Sequence, residues 1–186
     1  NVMIDPKDDT PLKGNCAATR RAFLFGTSAA MVGTVMLPGL RGLNGEAVAA
    51  EVARYPRKLI GKMSQLAADK PIAFKYPDDG ARSDGMLFKL GKPAGGGIGP
   101  DSDVVAFNRF CTHMGGDLEK TFQAKEQALG PCPLHQTSFD LTRHGIVISG
   151  HATESLPQIL LEVDGDGIYA VGVMGLIHGR YDNLQS

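Results

Sequence analysis

The feature that most restricts this chain is a pair of short segments, each carrying one cysteine and one histidine. The first reads Cys111-Thr112-His113-Met114-Gly115-Gly116, and the second Cys132-Pro133-Leu134-His135-Gln136-Thr137-Ser138-Phe139. Their spacings differ, Cys-x-His against Cys-x-x-His. A mixed set of two thiolates and two imidazoles suits a dinuclear iron-sulfur centre whose irons are ligated differently, Cys111 and Cys132 on one iron and His113 and His135 on the other. Replacing two thiolates by neutral imidazoles removes two negative charges and stabilises the reduced cluster. That places its potential at about −150 to +300 mV, against about −400 mV for all-cysteine plant-type ferredoxins. A structural zinc site, and with it a binding module without redox activity, is the alternative for this donor set. Zinc fingers, however, usually pair Cys with Cys and His with His at short spacings. Gly115, Gly116 and Pro133 allow tight backbone turns beside the ligands.

These residues resemble the Rieske 2Fe-2S family, through Cys-Thr-His-x-Gly in the first segment and Cys-Pro-x-His with an aromatic four residues on in the second. The resemblance implies an all-β fold, a Rieske-type antiparallel β domain with a cluster-binding subdomain of loops. It implies a 2Fe-2S cluster with Cys111 and Cys132 on the inner iron. His113 and His135 would hold the outer iron, their edges facing solvent or a redox partner. Many members have a further cysteine in each loop, joined as a disulfide; here those positions hold Gly116 and Leu134. Such a bridge contributes roughly 3 kcal/mol in the chain-entropy model. Without it the cluster itself is expected to hold the two loops together.

Respiratory members of high potential carry a serine two residues after the second histidine and a tyrosine four after it, both donating hydrogen bonds to sulfur. Here Thr137 keeps a hydroxyl and Phe139 has none, so a potential below that of the respiratory proteins is expected. A third, proline-containing loop covers the cluster in the family, and residues 150–157 are its counterpart. The residues expected around the ligands are therefore Met114, Gly115, Gly116, Leu134, Thr137, Phe139, Gly150 and His151. His144 and His178 read as surface residues.

Residues 1–50 read as a separate segment ahead of the domain at 51–186. Thr19-Arg20-Arg21-Ala22-Phe23-Leu24-Phe25 resembles a twin-arginine export signal with Arg20 and Arg21 as the pair, followed by an uncharged stretch at 22–40. Ala47-Val48-Ala49 then has the form of a cleavage site. Twin-arginine export carries folded proteins, which suits a chain that must receive its cluster before leaving the cytoplasm for the periplasm. An uncleaved membrane anchor over 22–40 is the alternative, although three glycines and Pro38 weaken it. Cys16 has no counterpart to pair with. The net charge of −1 gives no nucleic-acid surface.

Within 51–186 the pattern is of short strands. Strands are expected at 58–60, 72–76, 86–90, 104–108 and 145–149, with a hairpin of 159–163 and 168–173 about Asp164-Gly165-Asp166-Gly167. Pro77-Asp78-Asp79-Gly80 is a turn by composition. The glycine-rich stretch at 92–103 lacks the helix and lysine of a phosphate cradle and reads as a flexible connection.

Several phrases resemble more closely the small subunits of arsenite oxidases. They include Phe74-Lys75-Tyr76-Pro77, Gly97-Ile98-Gly99-Pro100, Ala152-Thr153-Glu154-Ser155-Leu156-Pro157 and Met174-Gly175-Leu176-Ile177-His178-Gly179-Arg180. That resemblance implies a non-catalytic electron-transfer subunit in a heterodimer. Its large partner would carry a molybdopterin centre and a 3Fe-4S cluster and oxidise arsenite to arsenate. Electrons would leave through this chain to a periplasmic cytochrome c or blue-copper protein. The Rieske subunit of a cytochrome bc-type quinol-oxidising complex is the alternative; it would need a firm anchor and usually both bridge cysteines.

Overall fold

The structure is a computed structural model that describes residues 55–184. The export signal at Arg20 and Arg21, the stretch at 22–40, Cys16 and the division at residue 50 lie outside the described residues. Along the chain come β1 (Lys58–Lys62), a 3-10 turn (Met63–Gln65), β2 (Ile72–Lys75), β3 (Asp84–Lys89) and β4 (Val104–Asn108). They are followed by β5 (Phe122–Gln123), β6 (Ala128–Leu129), β7 (Ser138–Asp140), β8 (Ile146–Ser149), β9 (Gln158–Asp164) and β10 (Gly167–Met174). These form a six-stranded sheet in the order β1-β10-β9-β4-β3-β2 and a four-stranded sheet in the order β5-β6-β7-β8. Every pairing is antiparallel, so the expected all-β class holds.

The sequence of β3 and β4 explains why the chain divides this way. Both are apolar on both faces, Met86-Leu87-Phe88 and Val104-Val105-Ala106-Phe107, the reading of a strand covered on each side. Successive side chains of a strand point to opposite faces. Leu87, Val104 and Ala106 therefore enter one core with Ile60, Tyr76, Ile159, Ile168 and Ala170. Met86, Phe88, Val105 and Phe107 enter the other, where they meet Cys111, Cys132, Leu118, Leu129, Phe139 and Leu141. The second core joins the large sheet to the subdomain that carries the cysteines. Their sulfurs thus rest on a dry apolar floor.

The hairpin of β9 and β10 turns at Gly165-Asp166, with Asp164 opposite Gly167 and Gly165 at φ 58°. The strands expected at 72–76, 86–90 and 104–108 are present as β2, β3 and β4. Strands β5, β6 and β7 were not anticipated. The glycine-rich stretch is not a loose connection: Gly95 N–H donates to Thr142 O at 2.8 Å, and Ile98 pairs with Val104. The buried Gln158 also donates to Gly95 O at 2.8 Å while its Oε1 meets His144 Nδ1 at 2.7 Å. These bonds pin the stretch to β9 and to the turn that precedes β8.

Candidate metal centre

Two loops project from this floor, and their backbones are copies of one another. In the first, Cys111 N–H donates to Gly116 O at 2.9 Å and Gly115 N–H to Cys111 O at 2.8 Å. In the second, Cys132 N–H donates to Thr137 O at 2.8 Å and Gln136 N–H to Cys132 O at 2.9 Å. The fourth residue after each cysteine is left-handed, Gly115 at φ 66° and Gln136 at φ 59°. Glycine takes that conformation without a steric cost, and glutamine takes it against one.

The fifth residue after each cysteine faces the cysteine of the opposite loop. The Thr137 hydroxyl lies near the Cys111 thiol and favours its thiolate form. At the matching position a Cβ on Gly116 would stand 2.6 Å from Cys132 Sγ and 3.2 Å from Leu134 Cδ1. In this chain a Cβ at 116 would therefore crowd the sulfur beneath it and the Leu134 side chain.

The third loop closes on both. Gly150, at φ 94°, approaches so near that a Cβ there would lie 2.3 Å from Thr137 Cα. Past it, the N–H groups of His151 and Ala152 donate to Thr137 Oγ1 at 3.1 and 3.3 Å. The Thr112 hydroxyl donates to Glu154 O at 2.8 Å, tying the first loop to the third.

Three imidazoles gather at the tip. The rings of His113 and His135 lie 4.6 Å apart and nearly perpendicular, at 82°. His151 stacks on His113 at 5.7 Å and 28°, and stands edge-on to His135 at 6.3 Å. His135 and His151 are exposed, as are Met114 and Leu134, while His113 is half-buried. His178 does not sit apart on the surface: it is half-buried against Gly115, where a Cβ would lie 2.6 Å from its Nδ1. Its approach to the first loop left no mark in the sequence, because the C-terminal segment that carries it follows β10.

The donors fit a cluster. Cys111 and Cys132 are buried free thiols. Burial pushes the Cys111 thiol up, and the His113 N–H and the Thr137 hydroxyl pull the other way, favouring the thiolate. His113 is held below its ordinary value by burial, then by His135, His151 and His178 nearby, a shift toward the neutral ring that ligation needs. Its Nδ1 is buried with no protein hydrogen-bond partner. Two buried cysteines and two imidazoles at the tip suit two differently ligated irons.

An antiparallel β domain that presents two such loops over an apolar floor is a Rieske-type iron-sulfur protein. Residues 58–160 match the model of the Rieske [2Fe-2S] domain, and the chain belongs to that family, with its 2Fe-2S cluster as cofactor and electron transfer as its work. Among individual proteins, the chain is 56% identical over 177 residues to the iodate reductase subunit IdrB of Denitromonas iodatirespirans, covering 94% of this chain and 92% of that protein. It is 55% identical to the IdrB subunit of Pseudomonas sp. (strain SCT), over 91% of this chain and 85% of that one. The soluble domain of Rieske protein II from Sulfolobus acidocaldarius shares the fold, with a TM-score of 0.60 at 23% identity, over 68% of this chain and 82% of that one.

Proposed function

We propose that this chain is the electron-transfer subunit of an iodate reductase-type oxidoreductase, with Cys111 and Cys132 on the inner iron and His113 and His135 on the outer. The observation that carries this reading is likeness to two IdrB subunits along nearly the whole chain. The cluster supplies storage for one electron at a time. The chain supplies its setting: Phe139, Leu118 and Leu129 keep water from the sulfurs, and the exposed edges of His135 and His151 face outward. One of those edges, or that of His113, docks against a large subunit with a molybdopterin centre and a 3Fe-4S cluster, where the substrate reacts. A periplasmic cytochrome c or blue-copper protein is the other redox partner, and export by the segment at Arg20 and Arg21 brings the chain to it.

The direction of flow distinguishes this from arsenite oxidation. Iodate reduction draws electrons inward through this chain; arsenite oxidation sends them outward. The phrases at 152–157 and 174–180 favour arsenite as the second reading. Both are decided on the natively purified complex, with the cluster followed by its visible absorption. On the first reading, iodate oxidises the reduced cluster within turnover time and arsenite leaves the oxidised cluster unchanged. Reduction of the oxidised cluster by arsenite, with iodate inert, would establish the second reading and reject the first.

A further inference from the structure

The base of the first loop is surrounded by three arginines, and two of them are neutralised. Arg180 is nearly buried and forms an ion pair with Asp78 at 2.7 Å. Arg109 meets Asp117 at 3.0 Å and Glu119 at 3.5 Å. Arg82 differs. Among the described residues it makes no ion pair, although it is half-buried. Its guanidinium donates to Gly115 O at 2.8 Å, two residues beyond His113, and lies 4.6 Å from the centroid of the Phe110 ring. A Cβ on Gly115 would stand 3.1 Å from the same nitrogen, so the cation rests directly on the loop backbone.

The position is built, not incidental. Arg82 holds φ 65°, a left-handed conformation unfavourable for a long side chain. It is fixed there by Asn108 Nδ2, which donates to Arg82 O at 2.7 Å and to Asp84 O at 3.2 Å. Asn108 is itself fully buried at the end of β4, the strand that leads to Cys111. Backbone strain, a buried amide and a cation without an ion-pair partner among the described residues thus converge on one carbonyl of the first loop.

We propose that Arg82 is a positioning residue for the redox centre: it clamps the Gly115 carbonyl and sets a positive charge beside the cluster, raising the potential at which the chain accepts an electron. Reduction adds one negative charge at the centre. A fixed cation nearby favours that state, and partial burial limits its screening by water and salt. This rests on the ligand assignment above, since Gly115 belongs to the loop of Cys111 and His113.

The test is the midpoint potential of the cluster-loaded chain in Arg82→Gln and Arg82→Lys, with the electron paramagnetic resonance spectrum recorded on the same samples. Glutamine keeps a donor for the carbonyl and removes the charge; lysine keeps the charge. At the wild-type midpoint, Arg82→Gln is expected to lower the ratio of reduced to oxidised chain on the order of tenfold. Arg82→Lys stays near wild type, and both keep the Rieske spectrum. A glutamine variant with that spectrum and an unchanged potential overturns the proposal, as does a lysine variant that falls as far as glutamine. If glutamine does not load iron, lysine decides alone: loading at a near wild-type potential supports the proposal. Failure of both to load overturns it, because Arg82 would then serve folding and not tuning. A wild-type chain lacking the Rieske spectrum would instead reject the ligand assignment.

Discussion

Thr137 has two separate tasks, and substitution separates them. Its hydroxyl favours the Cys111 thiolate, and its oxygen accepts from the N–H groups of His151 and Ala152. Thr137→Val removes that hydroxyl and leaves two backbone donors of the third loop without an acceptor. The potential should fall, and stability should drop by about 1–3 kcal/mol for each orphaned group. Thr137→Ser should restore both, as followed by redox titration and denaturant unfolding. Phe139, fully buried in the same core as both cysteines, offers the opposite change. Phe139→Tyr adds a hydroxyl on the buried side of the centre and should raise the potential; an unchanged or lower value would mean that the hydroxyl finds no sulfur. Gly116→Ala sets a methyl 2.6 Å from Cys132 Sγ and should cost most of the iron content of purified protein. The two loops that gather the candidate ligands were legible in the two segments, because Cys and His declare their chemistry wherever they stand. The roles of Arg82 and His178 were not: each reaches Gly115 from a distant part of the chain, and an arginine or histidine in a polar loop carries no periodic signal.

Strands were legible where they are long enough for alternation or flanking turn residues to show. β3 and β4 bury runs of aliphatic and aromatic residues, and β9 and β10 flank a glycine turn, so they lie where alternation and turn residues place them. β5, β6 and β7 have two, two and three residues, too few for any period to show, and their pairing follows from the loops they join. The segment that packs beside the first loop is held by a different device. Asp78 lies in the loop after β2 and Arg180 beyond β10, and the guanidinium donates to both carboxylate oxygens at 2.7 and 3.0 Å. Arg180 first, then Ser83 and the Gly80 N–H, hold the Asp78 carboxyl well below the usual carboxylate range. A carboxyl depressed in the folded state stabilises the fold above about pH 4, its unfolded value, and loses that contribution as pH falls toward the folded value. Asp78→Asn should therefore lower stability at pH 7 by roughly 3 kcal/mol. The gap from wild type should narrow as pH is taken below about 4. Thermal unfolding at several pH values, followed by far-ultraviolet circular dichroism, checks both the size and the sign.

For the molecule as a whole, two cores meet at β3 and β4, and only one of them depends on the cluster. The core of Ile60, Tyr76, Leu87, Ile159 and Ile168 closes without any contribution from the ligand loops. The other includes both cysteines. Gly116 and Leu134 pack together where a covalent bridge is absent, so removal of iron should loosen residues 111–116 and 132–137 while β1, β9 and β10 keep their protection. Amide exchange of the loaded and chelator-stripped protein would show this, and equal protection of the loops in both would refute it. Cys111, His113, Cys132 and His135 are proposed to hold two irons. The most direct measurement is pulsed electron paramagnetic resonance on the reduced, natively purified protein grown with nitrogen-15 histidine, with iron and sulfide determined on the same sample. Two strongly coupled histidine nitrogens, with two irons and two sulfides per chain, are the expected result, and His135→Ala should abolish the signal. A single coupled nitrogen or none, or one zinc per chain with no sulfide, would contradict the assignment of Cys111, His113, Cys132 and His135.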